Sequence, residues 1–132
     1  MTRTNPSKSS QENEKLKNRD KQLWAYVCTV LDNTATRFGF PLPDIRPIKK
    51  KWGGNYVGSC SKRNVLRIAL RDCDGKLVEP YQLIDTIAHE LAHLRSQKHG
   101  ALWFHCHILV LTHLSNVGVY EDLRRIMKGK TT

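Results

Sequence analysis

The segment from Pro80 to about Arg95 constrains the fold of this chain most, because its apolar side chains recur with the period of a helix. Proline is well tolerated in the first turn of a helix, so Pro80 marks a natural start. At about 100° per residue, the large apolar residues fall within an arc of roughly 100° on a helical wheel: Leu83, Ile84, Ile87, Leu91 and Leu94. The sequence therefore predicts a helix that buries one face.

A short histidine pattern lies at the margin of this apolar arc, His89-Glu90-Leu91-Ala92-His93. Residues four apart lie one turn apart on the same helix face, so both imidazoles can reach one ion. Chance alone produces this HExxH pattern in such a chain about 1% of the time, and two solvated histidines are the alternative. The helical context, the separate apolar face and a third histidine nearby favour a metal site.

The third candidate ligand is His99, which follows His89 by ten residues and lies beyond the predicted end of the helix. From a loop there it can fold back over the ion, whereas His105 is an alternative on the next predicted helix. Three neutral imidazoles leave the fourth position of zinc to water and leave the charge of the ion in place, and this charge lowers the pKa of the bound water towards ~7. Glu90 is predicted to act as the general base. Further candidate ligands follow: His107 and His113.

The chain of 132 residues is one domain at most. Residues 1–20 hold almost no large apolar side chain and are predicted to be a disordered polar tail, which leaves 21–128 as the folding unit. Within it the patterns predict an initial helix, a small sheet and further helices, an α+β class. The predicted helices are Lys21–Phe38, Pro80–Arg95, Ala101–Leu114 and Tyr120–Met127, and the predicted strands are Ile45–Trp52, Tyr56–Cys60 and Asn64–Arg71.

Lysine and arginine outnumber aspartate and glutamate by 22 to 12, for a formal net charge of +10. Such an excess favours polyanionic partners, and nucleic acid first among them. Short basic clusters near Trp52 and Tyr56 predict DNA contacts, with solvated loop charges as the alternative. These clusters are Lys49, Lys50 and Lys51, and then Lys62 and Arg63.

No run approaches the ~20 apolar residues that a membrane span needs, and the N-terminus has no apolar stretch typical of a secretory signal. The four cysteines are scattered without a CxxC pair, as expected for reduced thiols. The sequence therefore predicts a cytoplasmic monomer without a membrane partner, located at the nucleoid or nucleus if it associates with DNA.

The histidine motif and its surroundings resemble the zinc-binding core of SprT-like and YgjP-like metallopeptidases, to which the WLM group is related. The resemblance covers about residues 45–110. It rests on the HExxH motif, on the later His99-Gly100 and Trp103-Phe104, and on upstream segments: Trp52-Gly53, Tyr56-Val57-Gly58-Ser59-Cys60 and Ile68-Ala69-Leu70. Metzincins share the histidine spacing but have glycine where this chain has Ser96, and a downstream glutamate ligand of the gluzincin kind has only Glu121 to supply it.

The resemblance implies a minimal zincin-like fold with a small antiparallel sheet, an HExxH helix and trailing helices. It also implies a zinc endopeptidase that binds its protein or peptide substrate along an edge strand, for which Asn64–Arg71 is the candidate. Members of the SprT/Spartan branch act on proteins bound or crosslinked to DNA.

Two other functions stay open at this point. One is a non-catalytic adaptor or nucleic-acid-binding protein with a structural zinc site, and the other is a zinc hydrolase for a non-peptide substrate. The sequence does not distinguish among three candidates for the group that stabilises the transition state: Tyr56, Tyr81 and His105.

Overall fold

The computed structural model describes residues 8–48, 58–60, 64–72 and 74–128. One helix is followed by three strands and then by three helices, the order that the sequence predicts, which confirms the α+β class. The elements in chain order are α1 (Lys8–Phe38), β1 (Asp44–Pro47), β2 (Gly58–Cys60), β3 (Val65–Ile68), α2 (Pro80–His93), α3 (Ala101–Asn116) and α4 (Val119–Met127).

Helix α1 begins at Lys8, well before the predicted start at Lys21. Residues 8–20 are therefore helical in the structure, whereas the sequence predicts a disordered polar tail there. Glutamate, glutamine and lysine are good helix formers, and extending a helix already packed downstream avoids the cost of nucleation. The division at residue 20 between tail and folding unit stays a prediction, and residues 1–7 lie outside the described part of the chain.

The three described strands form one mixed sheet in the order β1-β3-β2. Strand β2 pairs antiparallel with β3, whereas β1 pairs parallel with β3, so the prediction of an antiparallel sheet is wrong for β1. The physical reason is connection length, because β2 precedes β3 closely in sequence while the long connection from β1 permits a crossover. Of the predicted strand Ile45–Trp52, the part after Ile48 lies outside the described residues.

Strand β3 lies in the centre of this sheet and is paired on both sides. The assignment of Asn64–Arg71 as a peptide-binding edge is therefore wrong, because the main-chain groups of β3 already bond to β1 and β2. Within β3, Leu66 and Ile68 are fully buried, whereas Val65 and Arg67 are half-buried.

The main core contains side chains from all four helices and from β3, which contributes Leu66 and Ile68. Helix α2 contacts β2 and β3 on one side and α3 and α4 on the other. Its predicted apolar face is confirmed, since its large aliphatic side chains are buried together with those of α1 and α4. Fully buried members include Leu23, Val27, Leu31, Leu83, Ile87, Leu91, Leu114 and Leu123.

Helices α3 and α4 meet at a sharp corner. Gly118 has φ of 82°, a left-handed conformation that glycine adopts without the steric cost of a Cβ. The two helices are bent by 65° there, and no single helix among the described residues is long and apolar enough to cross a membrane. The Tyr26 hydroxyl donates a hydrogen bond of 2.7 Å to Asp122, which ties α4 back to α1.

Candidate metal centre

The C-terminal end of α2 and the turn after it bring three histidines together. His89 and His93 lie one turn apart on the last part of the helix, which ends at His93. The amides of Arg95 and Ser96 both donate to the carbonyl of Ala92, so the chain turns back tightly. His99 follows in the segment before α3 and is thereby placed over the two helical histidines.

The Nε2 atoms of these three rings converge on one point. They are separated by 3.3 Å between His89 and His93, 2.9 Å between His93 and His99, and 3.2 Å between His89 and His99. Ligands of a tetrahedral ion with metal–nitrogen bonds of about 2.05 Å lie about 3.3 Å apart. The three predicted ligands are therefore spaced as one metal ion requires.

Hydrogen bonding among the three rings cannot account for this arrangement. Each neutral ring nitrogen either carries a hydrogen or offers a lone pair. Among three mutually close nitrogens, at least two must be of the same kind and repel each other. A cation that accepts all three lone pairs removes this conflict, so the donor set fits a metal.

The His93 ring is oriented by the backbone. Its Nδ1 lies 3.0 Å from the carbonyl oxygen of Ser96, to which an N–H at that position donates. The lone pair of the neutral ring is then on Nε2, which faces the other two histidines. Burial lowers the pKa of both His89 and His93, although the Ser96 contact partly offsets this for His93. These lowered pKa values favour the neutral imidazole, which is the form that binds metal ions.

Glu90 lies beside the cluster and outside it. Its Oε2 is 4.0 Å from Nε2 of His89, and the residue is only 5% exposed. Burial raises the pKa of Glu90 to about 7. A carboxylate with a pKa near neutrality, next to an ion site that it does not join, is suited to accept and return a proton.

Trp103 forms the floor of the site. Its indole Nε1–H donates a hydrogen bond of 3.2 Å to the carbonyl of His89, and its ring centroid lies 4.8 Å from that of His89 and 4.7 Å from that of His99. Trp103 and Phe104 are adjacent in the sequence and form part of the same resemblance, but their side chains lie in different environments. Trp103 is 9% exposed and Phe104 is 58% exposed, because successive helix residues point in different directions.

The other histidines do not join the cluster. His105, the predicted alternative to His99, is exposed on α3. His113 packs edge-on against Phe38, far along the same helix. His107 packs against Trp103 and the His89 ring, and its Nε2 lies 3.2 Å from Oδ1 of Asp85. In the sequence, His107 is a candidate ligand only, and no local pattern marks Asp85.

The predicted nucleic-acid clusters lie outside the described residues, as does Tyr56. Tyr81 is 65% exposed, and the stabiliser of the transition state stays unassigned. On α4, Arg124 pairs with Glu121 at 3.6 Å and Arg125 pairs with Asp122 at 2.6 Å, so both charges are partly neutralised within their own helix.

The fold and the site together define an α+β chain with a candidate three-histidine metal centre at the end of one helix. Comparison of the chain with protein-family models, with curated proteins and with solved structures gives no match. The likeness to SprT-like peptidases therefore rests on the residues quoted for it, and family membership stays a prediction.

Proposed function

We propose that this chain is a zinc-dependent metallopeptidase of the SprT-like, minimal zincin kind. One observation carries the proposal: three Nε2 atoms converge at ligand spacing beside a buried carboxylate that lies outside their set. A purely structural zinc site usually has four protein ligands and needs no base. Among the described residues, this cluster has three ligands.

Zinc is the proposed metal, because imidazole nitrogen is a common ligand of this ion in tetrahedral sites and three such ligands are typical of open catalytic zinc sites. His89, His93 and His99 would hold it, and as a Lewis acid the bound ion would make water a nucleophile at neutral pH. Glu90 accepts the proton of the attacking water at a carboxylate oxygen and returns it to the leaving amine of the peptide. Its buried position keeps that proton transfer away from bulk solvent.

An extended peptide can pair with β2 in this proposal. In the sheet that the structure describes, β2 is an outer strand and contacts α2, the helix that carries two of the ligands. Main-chain pairing with an edge strand tolerates many sequences, which is suited to a protein substrate.

The experiment that tests this function is Glu90→Gln, which keeps the size of the side chain and removes its basicity. The variant should retain nearly stoichiometric zinc and lose hydrolysis of a denatured protein by roughly 10²–10⁴-fold, as is typical for loss of a general base. His105→Ala is the matched control and should retain both zinc and activity. If wild type and Glu90→Gln are equally inert on denatured, single-stranded-DNA-bound and self substrates, the chain is an adaptor with structural zinc.

DNA-associated proteins are the proposed substrates, and the support for this is the net charge of +10. Affinity for single-stranded DNA should fall steeply with salt, because each phosphate contact releases counterions. Fluorescence anisotropy at several salt concentrations measures this dependence. Absence of binding at low salt removes DNA from the proposal and leaves the peptidase untouched.

A further inference from the structure

We propose that Asp85 and His107 form a positioning pair that holds the His89 ring in the orientation needed for metal binding. The inference rests on the proposed function, since it concerns the same metal centre. Neither residue belongs to the set of three ligands, and neither lies in the histidine motif.

The need for such a pair follows from a difference between the two helical ligands. His93 is fixed through its Nδ1 by the Ser96 carbonyl. Within the described residues, the hydrogen bonds of His89 involve its carbonyl oxygen and its Nε2, and no protein group bonds to its Nδ1. The side chain of His89 is also one-third exposed. Its ring orientation therefore depends on what packs against it.

Trp103 and His107 supply that packing. They are four residues apart on α3, hence on the same helix face, and their rings lie 4.9 Å apart at an interplanar angle of 37°. Together they form a wall that meets the His89 ring edge-on, with centroids 4.8 Å away for Trp103 and 5.9 Å away for His107. A shift of either ring would free His89 to turn away from the ion.

Asp85 fixes the position of His107, one of the two rings that pack against His89. It lies four residues before His89 on α2, so it emerges on the same side of the helix one turn earlier. His107 is 14% exposed and directs its Nε2 to the carboxylate of Asp85, which is 60% exposed. An ion pair with one partner so exposed contributes little to stability. The pair instead affects geometry, because a carboxylate that accepts a hydrogen bond from an imidazole fixes the orientation of that ring.

The test uses the full chain, with zinc affinity measured by chelator competition and ligand geometry by the visible spectrum of the cobalt(II)-substituted protein. Asp85→Ala should weaken zinc binding by up to roughly 10-fold, less than the 10–100-fold typical of a residue hydrogen-bonded to the ligand itself, because Asp85 acts through His107. It should also alter the cobalt spectrum. Asp85→Asn retains an acceptor oxygen for the His107 N–H and should keep most of the affinity. Glu121→Ala, which removes an exposed carboxylate of α4, is the control and should change neither measurement.

His107→Phe provides an independent variant, because it keeps an aromatic ring against Trp103 and removes the bond to Asp85. It should match Asp85→Ala, and the double variant should be no worse than either single one, since both remove the same interaction. If Asp85→Asn and Asp85→Ala lose zinc affinity equally, the effect of Asp85 comes from its charge, and the positioning role is overturned. Wild-type affinity in Asp85→Ala would overturn it too. A wild-type protein that binds no metal would instead remove the proposed function and this inference together.

Discussion

Glu90 carries a stability penalty that depends on pH. Burial raises its pKa from 4.5 to about 7, so between these pH values the folded state holds a proton that the unfolded state has lost. The contribution of that proton to stability is fully present below about pH 4.5 and is lost as the pH rises through about 7. In the metal-free protein at pH 8, the folded chain therefore has to bury a charged carboxylate.

Replacing Glu90 with glutamine should remove this pH dependence. Between pH 5 and pH 8, the free energy of unfolding of the metal-free wild type should fall by roughly 2–3 kcal/mol relative to the variant. The shifted histidines are present in both proteins and cancel in the difference. Urea unfolding in the presence of a chelator, followed by circular dichroism, measures it. If the free energy of unfolding changes with pH in the same way in both proteins, burial does not raise the pKa of Glu90.

At the scale of single residues, the local part of the site is predictable and the part between helices is not. Helical periodicity alone places His89, Glu90 and His93 on one margin, and the position of His99 after the helix makes it a candidate for the third member beside His105. Asp85 and His107 are 22 positions apart, and their contact exists only once α2 and α3 have packed. No local sequence pattern predicts a contact between residues on two separate helices.

At the scale of elements, the helices are predicted better than the sheet. Apolar periodicity locates α2, α3 and α4 to within a few residues because each helix is defined by its own sequence. Strand partners are defined by other strands, so neither the parallel pairing of β1 with β3 nor the central place of β3 can be read from alternation alone. The early start of α1 has no apolar signal either, since residues 8–20 are mostly polar.

Two ion pairs of the same geometry allow the docking of α1 to be tested. Arg71 donates through Nε and Nη2 to one oxygen of Asp20 on α1, at 3.2 and 2.7 Å, and Arg46 binds Asp44 at the same two distances. The first pair joins residues 51 apart and has side chains 36% and 33% exposed. The second joins residues 2 apart with side chains 56% and 51% exposed.

The long-range pair should matter more. Asp20→Ala is expected to lower the free energy of unfolding by about 1–2 kcal/mol, because charge-assisted bonds between elements are lost and the Arg71 guanidinium is left half-buried. Asp44→Ala should cost less than about 0.5 kcal/mol, as exposed local pairs usually do. Urea unfolding of both variants gives the comparison. Equal effects would mean that Asp20 does not help to dock α1 in solution.

For the whole molecule, the metal should act as a clamp between helices. His89 and His93 belong to α2 and His99 to the segment that leads into α3, so an ion bound to all three opposes the separation of these elements. A ligand that binds only the folded state stabilises it by about 4 kcal/mol at a free concentration of 1,000 Kd. The midpoint of thermal unfolding should therefore rise by roughly 10 °C or more with saturating zinc.

The variant His99→Ala should lose this thermal shift and most of its bound zinc, whereas His105→Ala should retain both. Differential scanning fluorimetry with and without zinc, together with metal analysis of the purified proteins, measures the two effects. If zinc still raises the unfolding midpoint of His99→Ala but no longer raises that of His105→Ala, the third ligand is His105 on α3.

Every residue placed at the candidate site, from Asp85 to His107, belongs to one uninterrupted stretch of α2, the turn and α3. Contacts between near neighbours in sequence form quickly because little loop-closure entropy opposes them. The helix pair can therefore assemble during folding before β1, β2 and β3 have found their partners. An ion captured at that moment would serve as a nucleus for the remaining chain, so the order of folding events, as well as the final stability, would depend on whether metal is present when the protein is made.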